Sequence, residues 1–486
     1  MSGKIDIDVR AGEPVDLSGS GLQEFCVSSV ATGSSKPSRV GLLAHCGTGN
    51  LGDEASITAV LDNITLRSPG VSVVGLSMDP EDTTRRLGIP CYAMRQRVFP
   101  FQREWSSASH PAGPGGFAWR LKATVKKTGP LFHIANALRH ALVVWPSQFF
   151  REIMFLLRSL LLVWELDMLI IAGGGQLLDW GGPWAFPYTL FKWVLLAKCA
   201  NVKCIFVNNG AGPLDSSLSR WFIRRTLAMA DYVSLRDGAS GDLLRKIGFR
   251  GKMKVVADAV WGLRLPERPA KEPVMPSTQL VIGVGPMAYG DSKRHWVNDD
   301  QGYRRLIDNL AAFCGQMLAR GHRIRLFSSD IWFDSQAIAD LDAAIRQSFP
   351  ALAPDRVTRE TVESIADMLA ALSHVDFYVT CRFHGVVFAS LQTVPTIALA
   401  PHPKVTTLME SLGLSDYCVD IARCDAADLV ARADRLIADR DGIKARIGVR
   451  AAQFKSQLNL QFNALFLANE KTCAEGTRYS QEGALR

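Results

Sequence analysis

The sequence predicts an α/β protein of two doubly wound, Rossmann-like domains facing a cleft, a GT-B-like arrangement, and three observations carry that reading. Short apolar runs of strand composition alternate with helical stretches along most of the chain. Nearly every such run ends in Gly, Asn, Arg or Asp, the residue types that line a cleft at the carboxyl ends of parallel strands. The alternation breaks once, at residues 265–278, where Pro266, Pro269, Pro273 and Pro276 mark a linker, and then restarts. A chain of 486 residues exceeds what one core usually holds, so two domains are expected, at 37–264 and 279–425.

The first domain opens with a strand at 40–45, the turn Gly47-Thr48-Gly49-Asn50-Leu51-Gly52-Asp53-Glu54, a helix at about 55–66 and a strand at 71–76. The turn matches G-x-G-x-x-G, but Asp79 falls later than the acid of a dinucleotide site should, which leaves a Rossmann oxidoreductase a distant reading. A glycine turn feeding a helix holds either a phosphate or only its own caps, here Asn50 and Asp53. A strand at 167–171 then runs into Gly173-Gly174-Gly175-Gln176, where backbone can approach a ligand or a neighbouring strand. After a helix at 188–199, the strand at 202–207 ends in Asn208-Asn209-Gly210-Ala211-Gly212-Pro213. A helix at 218–229 leads to the strand at 232–235, which ends in Arg236-Asp237; a helix at 238–247 leads to the strand at 254–257, which ends at Asp258. Asp258 serves either as a working carboxylate or as the cap of the turn before Trp261.

The second domain has expected strands at 280–285, 323–327, 377–380 and 396–399. Its helices are expected at 303–319, 335–349, 361–373, 385–392 and 405–412. Helices at 426–470 follow and can cross back onto the first domain; residues 1–36 and 471–486 read as polar tails. Thr380-Cys381-Arg382-Phe383-His384-Gly385 puts a fixed cation and a titratable imidazole where a buried strand stops and a helix starts, an anion site with a proton donor. The plainer alternatives are a salt-bridged or solvated Arg382 and a structural His384. Strand alternation turns Cys381 to the other side of the sheet, as a buried thiol rather than a nucleophile.

The net charge of +8 suggests an acidic partner, and much of it gathers in an insert at 95–165 that starts as a basic loop and turns strongly apolar from 131. Arg151, Glu152 and Arg158 interrupt the apolar part, so it is no transmembrane span. It is either an amphipathic segment on an anionic membrane surface or a buried helix of the first domain. Nucleic acid is not indicated, since no binding motif accompanies the charge. No charged stretch followed by an apolar one opens the chain, and the 10 cysteines lack a CxxC pair or zinc spacing. A cytoplasmic protein with reduced thiols and no metal is expected, in which case the membrane contact is peripheral.

Several of these residues recur together in one family. Gly49-Asn50-Leu51-Gly52-Asp53-Glu54, Gly173-Gly174-Gly175, Asn209-Gly210-Ala211-Gly212-Pro213-Leu214, Ser234-Leu235-Arg236-Asp237 with Ser240, Ala257-Asp258, and Arg382-Phe383-His384 with Phe388-Ala389 and Pro395 resemble, in this order, the polysaccharide pyruvyl transferases. The resemblance spans roughly residues 40–414 and departs at Asn209, where the family often has Gln, and at Pro401, where it often has Tyr three residues before the lysine that Lys404 matches. It implies transfer of pyruvate from phosphoenolpyruvate onto two hydroxyls of a saccharide or lipid-linked oligosaccharide, giving a cyclic ketal and phosphate without a further cofactor or metal.

That chemistry suits the residues. A phosphate and a carboxylate call for two planar cations, and Arg236 and Arg382 are guanidinium forks in different halves, with Phe383 and Lys404 beside them. His384 is the candidate general acid or phosphate clamp, and Asp53 or Asp258 the candidate base for the acceptor hydroxyl. Backbone at Asn50, Gly52, Gly173, Gly174, Gly175, Gly210 and Gly212 would line the acceptor side, with the loops 95–130 and 287–296 choosing the sugar. A nucleotide-sugar glycosyltransferase and an inactive family member in polysaccharide assembly are the competing readings.

Overall fold

The computed structural model describes residues 37–46, 49–96, 145–265, 279–291 and 299–467. Both expected tails, nearly all of the linker, most of the basic loop and part of 287–296 lie outside the described residues. The sheets of both halves belong to one compact unit, Lys36–Ala468.

The first half runs β1 (Arg39–Leu43), α1 (Leu51–Arg67), β2 (Ser72–Ser77), α2 (Pro80–Leu87), β3 (Cys91–Ala93), α3 (Trp145–Trp164) and β4 (Met168–Ala172). It continues through α4 (Phe186–Cys199), β5 (Lys203–Asn209), α5 (Ser217–Met229), β6 (Tyr232–Leu235), α6 (Gly238–Lys246) and β7 (Lys254–Val255). Its sheet is parallel throughout, in the order β3-β2-β1-β4-β5-β6-β7.

The second half runs β8 (Val281–Gly285), α7 (Asp300–Ala319), β9 (Arg323–Leu326), α8 (Ser335–Ser348), β10 (Val357–Arg359) and α9 (Ile365–Ser373). Then come β11 (Phe377–Thr380), α10 (Phe383–Leu391), β12 (Thr396–Ala400), α11 (Pro403–Ser411) and β13 (Cys418–Asp420). This sheet is also parallel, in the order β10-β9-β8-β11-β12-β13. The doubly wound pair is the architecture that the alternation predicted.

The order in which strands are added reverses beside β1 in the first sheet and beside β8 in the second. Their neighbours β4 and β11 therefore open a crevice at each carboxyl edge.

The central strands are buried on both faces, which is why they read as unbroken apolar runs. Val40 and Leu42 of β1, Met168 and Ile170 of β4, and Ile205 and Val207 of β5 join one core, continuous with that of the second half. Their alternates Leu43, Leu169, Ile171, Cys204 and Phe206 join a separate core under α3, α4 and α5.

Two expectations need correction. Edge strands β3, β10 and β13, of three residues each, were not predicted, because so short a segment carries no periodicity. Helix α1 starts at Leu51, not near 55: Asn50 is the cap, its side chain accepting the Gly52 amide at 3.0 Å, so Gly52 and Asp53 lie in the first turn. The C-terminal stretch is helical as expected, with α12 (Ala426–Ala438) and α13 (Arg440–Phe466) separated at Asp439, whose backbone leaves the helical region.

Helix α13 does cross back. Arg67 Nε donates to Asn463 Oδ1 at 2.8 Å, Gln461 Nε2 donates to Ser234 Oγ at 2.8 Å, and Phe454 packs on Trp261. The halves also pair directly at the cleft, where Leu51 N donates to Ser329 O and Ile331 N to Gly49 O, both at 3.0 Å. Gly49 has a φ of 72°, and a side chain there would strike the Trp332 ring. Only glycine meets both demands.

Candidate active site

Arg382 leaves the carboxyl end of β11, at the crevice of the second half. Its guanidinium is held in a fork: Nε donates to Asp334 Oδ2 at 2.8 Å and Nη2 to Asp334 Oδ1 at 2.6 Å, with Asp330 Oδ2 3.2 Å from Nη2. Asp334 is fully buried, and Arg382 retains about a fifth of its side-chain exposure. Burial pushes the Asp330 carboxyl up to about 6, against the pull of Arg382. Neither aspartate was singled out from sequence.

His384, in the first turn of α10, lies flat against Gly52 of α1; a Cβ on Gly52 would fall inside the imidazole. That contact brings the amino ends of two helices from opposite halves together. His384 Nε2 is buried, has no hydrogen-bond partner, and lies 3.8 Å from Asp258 Oδ2.

Asp258 caps its turn and also faces other residues of the cleft. Oδ1 caps the 3-10 turn Ala259–Gly262 by accepting the Val260 amide at 3.0 Å, while Oδ2 faces His384 and lies 3.3 Å from Arg236 Nη1. Burial would raise its carboxyl, but His384, Arg236 and the Val260 amide together hold it at about 2.

Arg236 follows β6 at the carboxyl edge of the first sheet and is 7 % exposed. A Cβ on Gly210 would lie 2.6 Å from Nε and 2.8 Å from both Cζ and Nη2, so the guanidinium plane rests on the Gly210 backbone. Across the halves it lies over the Phe383 ring, with Cζ 4.7 Å from the centroid. Nε has no hydrogen bond; its nearest carboxylate is Asp237, at 3.5 Å.

Asp53 is not a helix cap. Its Oδ2 lies 3.1 Å from Nδ1 of His45, just beyond the carboxyl end of β1, and Gly174, with a φ of 72°, has no Cβ to press on Oδ1. Burial would raise Asp53, but the hydrogen bond from His45, with Arg236 nearby, holds it below the usual carboxylate range. His45 was legible by the signal that found Arg236, a polar residue closing an apolar run.

Lys404, at the start of α11, is exposed at the surface. Desolvation by the surrounding protein, with the cations Arg236 and Arg382, pulls its ammonium down to about 8. Gly173 donates from its amide to Val207 O at 2.8 Å, and Gly210 to Gly174 O at 2.8 Å, so these glycines stitch β4 to β5 below the cleft. Gly175 and Gly212 belong to the same two turns. Cys381 is buried with its thiol pushed well up by burial, unfit as a nucleophile. A basic depression lined by Arg224, Arg225, Asp231, Arg250 and Lys252 sits by the start of β6, at the opposite edge of the sheet from these groups.

Cations, carboxylates and imidazoles from two Rossmann-like halves, converging on one cleft, define a protein of GT-B-like build with a site suited to an anionic ligand. A model of the family described as polysaccharide pyruvyl transferase matches residues 50–403, and the chain belongs to that family. It is accordingly an enzyme that transfers pyruvate from phosphoenolpyruvate to a polysaccharide or lipid-linked sugar. Among solved structures it is similar in fold to the S. aureus MnaA–UDP complex, with 9 % identity, TM-score 0.50, and 87 % of this chain and 94 % of that one covered. It is likewise similar to UDP-GlcNAc 2-epimerase from Neisseria meningitidis bound to UDP-GlcNAc, with 9 % identity, TM-score 0.50, and 89 % and 100 % covered.

Proposed function

We propose that phosphoenolpyruvate binds between Arg236 and Arg382, one from each half, with Phe383 and Lys404 completing the donor site and His384 delivering a proton to the methylene carbon. The observation that carries this reading is the pair of buried, unpartnered nitrogens, Arg236 Nε and His384 Nε2, in groups from opposite walls of one cleft. Buried donors without partners are costly, and an anionic ligand offers what they lack. Asp258 stands beside His384, its Oδ2 3.8 Å from Nε2; Asp53 faces the acceptor side. In an assay with phosphoenolpyruvate and the lipid-linked oligosaccharides extracted from cells lacking this protein, phosphate release should require both. Release from a nucleotide sugar instead would overturn the reading.

The acceptor side is read as lying toward α3, because Arg95 lies over Phe186 beside His45 and the next residue, Gln96, donates to the Arg151 carbonyl of α3. This helix buries Glu152, which accepts from the Tyr188 hydroxyl at 3.2 Å and the Lys192 ammonium at 2.9 Å on α4, and it buries Val163. It thus packs on the domain with one face, yet leaves Phe149, Phe150, Leu157, Leu161 and Trp164 more than half exposed, with Arg151 and Arg158 among them. Among the described residues no helix is long and apolar enough to cross a membrane. An apolar face dotted with arginines suits the headgroup layer of an anionic membrane, and with it a lipid-linked acceptor. Phe149→Asp with Leu157→Asp should end flotation with phosphatidylglycerol vesicles; unchanged flotation would assign α3 another partner.

A further inference from the structure

Ketal formation breaks two acceptor O–H bonds, forms two C–O bonds at C2 of phosphoenolpyruvate, and breaks the C2–O bond to phosphate. One of the two protons ends on the methylene carbon, which becomes a methyl group, and the other leaves on phosphate. A proton donor on the donor side is therefore half of the requirement. The other half is a group that takes a proton from a hydroxyl approaching from the acceptor side.

We infer that His45, backed by Asp53, is that proton acceptor, a role that rests on the donor reading given above. Three observations support it. His45 stands just beyond β1, beside β4, at the crevice of the first sheet, as His384 stands beyond β11 at the crevice of the second. The Asp53 carboxylate lies 3.1 Å from Nδ1 of His45, and since a carboxylate accepts, Nδ1 is the donor of that bond and the lone pair of a neutral ring falls on Nε2, as a base needs. The His45 side chain keeps a fifth of its surface open, whereas Asp53 is nearly buried, so a hydroxyl reaches the imidazole rather than the carboxylate.

The wall around His45 suits a sugar. Its ring meets Phe186 edge-on with centroids 5.0 Å apart, and Arg95 lies over the same phenyl ring at 5.9 Å. His402, a third imidazole near the cleft, accepts the Lys404 amide at 3.3 Å and sits among cations at the donor end. In the proposed step the acceptor O–H bond breaks as its oxygen attacks C2, the proton passes to His45 Nε2, and Asp53 stabilises the imidazolium. The proton is then free to leave with phosphate.

The test uses the full-length protein, phosphoenolpyruvate, and the lipid-linked oligosaccharide extract on which the wild type turns over. His45→Gln, which can keep a hydrogen bond to Asp53, should lower kcat by about 100-fold or more, while the phosphoenolpyruvate Kd stays within about twofold. Added imidazole should restore turnover to His45→Ala in a saturable way. A kcat within about threefold of wild type, or no rescue of a folded His45→Ala, would overturn the role of His45 while leaving the donor site standing. Failure of the wild type to bind phosphoenolpyruvate would overturn the donor reading and this one with it.

Discussion

Arg382 and Arg236 are alike in sequence, each an arginine closing an apolar strand, yet their surroundings differ in kind. Arg382 is locked bidentately on a fully buried aspartate, with a second aspartate beside it. Arg236 has a flat seat between glycine backbone and a phenyl ring, two looser carboxylate neighbours at 3.3 and 3.5 Å, and a nitrogen without a partner. The first arrangement fixes the position of a cation and shares the folding of the second half. The second holds a cation in orientation while leaving its bonding capacity unmet, as a ligand-binding group requires.

The sharpest way to break this contrast is Arg382→Ala. It strands Asp334 and Asp330 without their cation, and removing one partner of a buried ion pair costs about 3–5 kcal/mol; urea unfolding should show that loss together with loss of donor use. Arg236→Lys keeps the charge beside Asp258 but not the plane. Its kcat/KM for phosphoenolpyruvate should fall by roughly 100-fold with stability changed by less than about 1 kcal/mol. Equal destabilisation by the two variants would erase the distinction.

Smaller effects refine it. Phe383→Leu keeps apolar bulk yet loses the ring face, worth about 1–2 kcal/mol to a desolvated cation, so KM for phosphoenolpyruvate should rise up to about tenfold. Lys404, drawn down to about 8, is charged below that pH and neutral above it. Donor affinity should therefore weaken as pH rises through 8, and Lys404→Arg should flatten that decline, which steady-state KM across pH 7–9 would reveal.

Much of the fold was legible because parallel strands buried on both faces write themselves as apolar runs, as at Ile170 and Phe206. The row of strand-end residues pointed to Arg236, Asp258, Arg382 and His384 for the same reason: carboxyl edges of such sheets face the cleft. What sequence could not give was pairing. Whether Asp53 capped its helix or met His45 depended on which residue took the cap, and Asn50 did. Asp330 and Asp334 follow β9, about fifty residues before Arg382, and nothing local tied them to it. The contact of His384 with Gly52 depends on how the halves meet, which no single segment records.

A crystal structure with phosphoenolpyruvate bound would test the central claim most directly. The account predicts one molecule bridging the halves, its two anionic groups on Arg236 and Arg382 and its methylene carbon toward His384 Nε2. Phosphoenolpyruvate held by one half alone, or seated in the basic depression near Arg224 and Lys252, would contradict it.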